Sequence, residues 1–256
     1  MTETGVQPEP ADEQTTAEDV GRPSLLDWQK RLNASTGHRA IALGERVKRI
    51  AYVFQGNVAQ YKSLVAKLQD PVVSGPIFDV RHPEAHDELL SEAERLLHNV
   101  LAAMSTRVDQ QRRFMEKHFQ GDSVLMNEYG GKVASLFKSD PQADFLKGLR
   151  NYITHTQLPV AQSNQTFGQD SCEITFILPG EPLLEWKGWN SVQRLWIASQ
   201  GDAVAIVGAV DAYACKAGNF DKWLFARIAL KFKADIDGYV RECAEFNREH
   251  DRIFGS

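Results

Sequence analysis

The sequence predicts a mainly α-helical bundle with one small β-hairpin, and three observations carry that prediction. Apolar residues recur every three or four positions through most of the chain. Residues that favour helix starts and stops stand at the ends of those runs. Only one stretch, "CEITFIL", alternates apolar and polar residues with the period of a strand.

Residues 1–22, "MTETGVQPEPADEQTTAEDVGR", are acidic and rich in Pro, Thr and Glu, with almost no large apolar side chains. Such a segment buries too little surface to offset its ordering entropy, so a disordered tail is expected there. Residues 23–256 are expected to form a single mainly helical domain. Ser24 is placed to cap a first helix bearing Leu25, Trp28 and Leu32.

From Arg39 to Gln69, the positions Ile41, Val47, Ile50, Val53, Phe54, Val58, Tyr61, Val65 and Leu68 give a long amphipathic helix. Asp70-Pro71 ends it, because proline disfavours helical geometry in the residue before it. "PVVSGPIFDVRHP" then reads as a connecting loop. Pro83, followed by Glu84, Asp87 and Glu88, suits the positive start of a helix extending towards Phe119.

Gly121-Asp122-Ser123 restarts a shorter helix that Gly130-Gly131 weakens and that continues to about Phe137. Ser139 or Asp140 caps the next, with Pro141 in its first turn and a body running to His155. "LPVAQSNQTFG" and "CEITFIL" form the hairpin. Helical periodicity resumes from Leu183 to Ile197, and again from about Asp202 to Phe254, with Gly218-Asn219 as the candidate break.

Composition narrows the function. The formal charge is -5, so no global positive field draws in nucleic acid, and any RNA-binding surface is local. Cys172, Cys215 and Cys243 lie far apart without a CxxC pair, which suits reduced thiols and a cytoplasmic setting. No apolar run reaches the ~18 residues of a membrane span; the longest, "AVAIVGAV", suits a buried helix or strand.

There is no GxGxxG, no phosphate-binding loop ending in Gly-Lys-Ser/Thr, no HExxH helix and no GxSxG elbow. His82 and His86 in "HPEAH" have a spacing that chelates metal on a helix. Pro83 separates them and no third ligand is near, so a solvated helix start is the expectation and no metal or cofactor is assigned. Trp28, Trp186, Trp189, Trp196 and Trp223 are expected in the core, with Trp186 and Trp189 the candidates for a stacking platform.

The stretch "FLKGLRNYITHTQLP" differs. At ~100° per residue, Phe145, Leu146, Leu149, Tyr152 and Ile153 fall within roughly 120° of the helix circumference. Arg150, Asn151, Thr154 and His155 occupy the complementary arc. An arginine with histidine five positions later occurs three times, at Arg81/His86, Arg113/His118 and Arg150/His155, against roughly half an occurrence by chance. Only the third joins a polar partner, Asn151, to a clean amphipathic helix.

"LRNYITH" resembles the signature of HEPN domains: an arginine, a polar residue directly after it, and a histidine four to six residues beyond the arginine. More loosely, roughly residues 85–230 are similar to a group of uncharacterised bacterial proteins sharing an "asparagine-x-leucine-alanine" helix, here in "HNVLAAMSTRVD", and the "LRNY…H…LP" segment. The resemblance implies a HEPN-like bundle, a homodimer whose two motifs form one RNA-cleaving site, and products ending in a 2′,3′-cyclic phosphate.

The chemistry fits those residue types. An ordinary imidazole, with a pKa near about 6.5, is a usable acid or base at neutral pH, which suits His155. Arg150 can grip two phosphate oxygens while staying cationic, and Asn151 can orient the imidazole or bond the phosphate. Arg107, Arg112, Arg113 and Lys117 share one helix and would line the path of the RNA if that helix packs beside the motif. Two readings stay open. One is a metal-independent endoribonuclease acting as a toxin or phage-defence effector, with an antitoxin or regulatory protein as a further partner. The other is a non-catalytic module of the same fold that binds nucleotide, RNA or a protein.

Overall fold

A computed structural model of the chain describes residues 24–79, 81, 83–156, 162–167 and 172–255; the acidic tail expected over 1–22 lies outside them. The described residues are mainly helical, with one small antiparallel sheet. They fall into two compact units, residues 24–41 with 232–255, and residues 42–231.

In the first unit, α1 (Leu25–Ala34) starts where expected, the Ser24 hydroxyl accepting from the Asp27 amide at 3.1 Å. Helix α10 (Lys233–Phe254) packs on α1, with Trp28 edge-on to Phe246 at 5.7 Å. A Cβ at Gly37 would collide with Tyr239 and the Asp235 carbonyl, so this position of α2 (Thr36–Leu68) requires glycine.

In the second unit, α2 continues to Leu68 and buries Val47, Phe54, Val58, Tyr61 and Leu68. The expected loop after it carries structure of its own. Asp70 accepts from the Val72 amide at 2.9 Å and caps α3 (Pro71–Ser74), and a 3-10 turn, Gly75–Phe78, follows. The aspartate that ends one helix thus starts another, with Pro71 at its first position.

Helix α4 (Pro83–Phe119) spans the unit. Asp122 caps α5 (Ser123–Val133), which passes into a π-helical turn at Ala134–Lys138. Asp140 caps α6 (Pro141–His155), whose Phe145, Leu146 and Leu149 are fully buried. That helix carries the motif and packs on α4, α8 and α9.

Strands β1 (Gln162–Phe167) and β2 (Cys172–Pro179) form the expected hairpin, with Ser163 opposite Phe176. A third strand, β3 (Ala203–Ala205), pairs with the end of β2, Leu178 opposite Val204. The apolar run "AVAIVGAV" is therefore both things the sequence allowed: a strand as far as Ala205, then the first turn of α9 (Ile206–Lys231).

Two expected helix bounds are corrected. The Leu183–Ile197 run is split into α7 (Gly180–Glu185) and α8 (Ser191–Ser199). Between them Trp189 turns into the core and donates its indole N–H to the Leu183 carbonyl at 2.5 Å. An Asn190/Gln193 capping box then restarts the chain. Conversely, α9 runs straight through Gly218-Asn219 and ends only at Lys231. Its buried Ala214, Ala217, Phe220 and Leu224 hold it helical, outweighing the ~1 kcal/mol propensity cost of one glycine.

Candidate functional site

Packing fixes the motif helix before any polar residue is considered. Phe145 stacks on Trp189 at 5.7 Å, and Tyr152 lies flat against the same indole at 5.9 Å. Trp186 meets Trp189 edge-on at 4.9 Å. Of the five tryptophans expected in the core only Trp189 is buried; Trp28, Trp186, Trp196 and Trp223 are half-buried, and Trp186 packs against Trp189. Gly148 allows α8 to approach: a Cβ there would come within 2.6 Å of Trp189 and 2.8 Å of Gln193. These contacts turn the opposite arc of α6 away from the core.

On that arc Arg150 and Asn151 are half-buried, and Thr154 and His155 are exposed. Among the described residues the Arg150 guanidinium makes one polar contact, a 3.4 Å hydrogen bond donated to Asn151 Oδ1. The Thr154 hydroxyl donates to the Arg150 carbonyl at 2.8 Å. Among the described residues no ion pair engages Arg150, and no hydrogen bond or ion pair engages the His155 ring.

Arg150 and Asn151 line a cavity of about 490 Å³ bounded by α4, α5, the π turn, α6 and α9. Tyr129, Phe137, Tyr213 and Phe220 give it aromatic walls, and Lys138 and Lys147 bring further positive charge. Its acids are engaged elsewhere: Asp144 accepts from the Asn190 amide at 2.8 Å, and Asp109 accepts from Arg112 at 3.3 Å. Arg107 and Gln111 line it too, tied to Asp221, which leaves a mostly apolar recess with Arg150, Lys138, Lys147 and the Asn151 amide to meet an anionic group attached to a planar ring.

His155 is not among the lining residues. Five positions separate it from Arg150, which is about 140° around the helix and about 7.5 Å along it. The two side chains flank Thr154 from opposite edges of the polar arc.

The basic helix face needs correction. Arg107 is 2% exposed and holds Asp221 with two bonds, Nε to Oδ2 at 3.0 Å and an Nη to Oδ1 at 2.5 Å. The same guanidinium donates to the Ala217 carbonyl at 3.1 Å, and Gln111 Nε2 donates to Asp221 Oδ1 at 2.5 Å. Its charge is therefore committed inside the protein and is not free for an RNA phosphate. Arg112 is exposed but paired with Asp109. Arg113 and Lys117 are exposed, yet Arg113 lines a different groove, against α2. Val108, in the cavity wall, and Arg113 stand about 140° apart on α4 at ~100° per residue. Helix α4 does pack beside the motif helix, but presents Arg113 elsewhere.

Lys147 and Lys138 were missed as site residues. Lys147 was legible, three residues before Arg150 on the same polar arc. Lys138 was not, because the π turn that aims it has no sequence signature. His82 is outside the described residues. His86 is no solvated helix start: its Nε2 lies 3.0 Å from Ser163 Oγ and its ring packs against Phe78. Comparison with protein-family models, curated proteins and solved structures yields no match to this chain.

Proposed function

We propose that this protein is a HEPN-like, metal-independent endoribonuclease whose reacting groups are Arg150, Asn151 and His155. The observation that carries the reading is that Arg150 and His155 are both left without an internal ion pair, on the one helical arc that core packing turns outward. Arg150, steadied by Asn151, grips the scissile phosphate and offsets the charge that gathers on it. The His155 imidazole takes the 2′-hydroxyl proton. The 2′-oxygen then attacks phosphorus, the bond to the 5′-oxygen breaks, and an imidazolium protonates that leaving oxygen.

One imidazole serves both proton transfers poorly, so the proposal includes a homodimer in which a second His155 supplies the acid. It also includes a cytoplasmic setting, where RNA is at hand, an antitoxin or regulatory protein restraining the activity, and a role as a toxin or phage-defence effector.

The test is incubation of the purified chain with single-stranded RNA in a chelator. Cleavage giving 2′,3′-cyclic phosphate ends is expected, falling by about 10²–10⁴-fold in His155→Ala and by about 10²-fold or more in Arg150→Ala. Equal cleavage by His155→Ala and the parent chain would overturn the reading.

One observation favours a second reading, a nucleotide-binding module without catalysis: Arg150 and Asn151 open onto an aromatic-walled cavity that His155 does not line. In that case nucleotides raise the melting temperature of the parent chain and of His155→Ala alike. They fail to do so in Arg150→Ala, and RNA stays intact throughout.

A further inference from the structure

On the side of α4 away from the Arg150 cavity, α2 and α4 bound an open groove of about 890 Å³. Arg46 and Arg49, one turn apart on α2, face Arg113 of α4 across it. All three are exposed, and none has an ion pair among the described residues. Several arginines elsewhere in this acidic chain are matched, Arg81 with Asp79, Arg95 with Glu92 and Arg227 with Glu128, whereas these three lie together without a carboxylate partner among the described residues. The one carboxylate lining the groove, Glu45, is paired with Lys48 at 2.7 Å. Lys117, one turn beyond Arg113, is exposed as well.

Three like charges in one groove repel one another unless an anion sits among them. We propose that this groove binds the phosphodiester backbone of single-stranded RNA, tracking successive phosphates with Arg46, Arg49 and Arg113. A strand fits better than a lone anion because the cations are spread along two helices at one-turn intervals, about 5–6 Å apart between Cβ atoms. Guanidinium forks match phosphate oxygens in pairs. The lining residues include no aromatic side chain, only Ile50 and Val53 as large apolar groups, so bases are not stacked and recognition is by backbone. Nearby, His118 is held below its ordinary pKa, first by partial desolvation and then by the positive charge of Arg46 and Lys117. The inference shares its ligand with the ribonuclease reading and rests on it for the choice of RNA, but it uses none of the motif residues.

The test measures binding of a 2′-O-methyl single strand of about 16 nucleotides, which cannot be cleaved, to the full chain at several salt concentrations. For the combined Arg46→Ala, Arg49→Ala, Arg113→Ala variant, affinity at low salt is expected to fall at least about 10-fold. The slope of log affinity against log salt is expected to shrink by about 2, at ~0.7 per phosphate neutralised. The matching triple Arg→Lys variant should keep most of the slope. Cleavage of a dinucleotide, too short to reach round α4, should not change in either variant.

Unchanged affinity and slope in the alanine triple overturn the proposal, as does a parent chain that binds no RNA. Groove-dependent binding to phosphatidylserine vesicles with no RNA binding overturns it in favour of a membrane surface. Loss of dinucleotide cleavage in His155→Ala, or its absence from the parent chain, judges the ribonuclease reading separately.

Discussion

At the scale of single residues, what distinguishes the arginines of this protein is whether a carboxylate has claimed them. Arg107 is claimed completely, while Arg150, Arg46 and Arg113 are not. The sequence alone could not sort them, because a guanidinium's partner is chosen by tertiary contact: Asp221 lies 114 positions from Arg107. His118 is affected first by partial burial and then by the charges of Arg46 and Lys117. Its pKa is lowered, so its neutral form is favoured in the folded chain and stability falls as pH drops through 6.5 towards the folded value. Removing a repelling charge should raise it. In Arg46→Ala the His118 ring resonance is expected to titrate at higher pH than in the parent chain, read by NMR. An unmoved or lowered midpoint would contradict a positive groove.

At the scale of elements, α6 is placed by a lock of glycine against indole. Gly148 faces Trp189 and Gln193, and Gln193 donates to the Asp144 carbonyl of the motif helix at 2.9 Å. Gly148→Ala is compatible with helical geometry and gains propensity, yet its Cβ needs space the α8 side chains occupy. The overpacking term decides the sign: a net loss of about 1–3 kcal/mol is expected from denaturant unfolding, and the ribonuclease proposal adds a fall in RNA cleavage as α6 shifts. A stabilised variant would show that Trp189 yields freely. The periodicity of α6 and both ends of the helix were legible in the sequence, from Asp140-Pro141 to His155. The split between α7 and α8 was not, because Trp189 breaks the run by turning inward, a decision made by the core.

At the scale of the whole molecule, no helix among the described residues is long and apolar enough to cross a membrane. Among the described residues, a buried ionic network joins the larger unit internally, Arg107 and Gln111 of α4 on Asp221 of α9, with the Arg107 guanidinium over the rings of Phe54 and Phe220 at 5.9 and 5.8 Å. Asp221→Ala strands a buried guanidinium, and a loss of about 3–5 kcal/mol is expected in urea unfolding. A loss under ~1 kcal/mol would mean that water or another carboxylate reaches Arg107.

By itself the sequence determined the mainly helical class, the hairpin, the starts of α1, α4, α5 and α6, and the outward arc of Arg150, Asn151 and His155. These follow from period and capping, which act between residues a few positions apart. Only the tertiary structure decided that α9 passes through Gly218-Asn219, that Ala203–Ala205 joins the sheet, and that Arg107 is buried while Arg113 faces α2. Each of those outcomes depends on which distant surface an element meets, and burial outweighs the fraction of a kilocalorie to ~1 kcal/mol by which local propensity usually speaks.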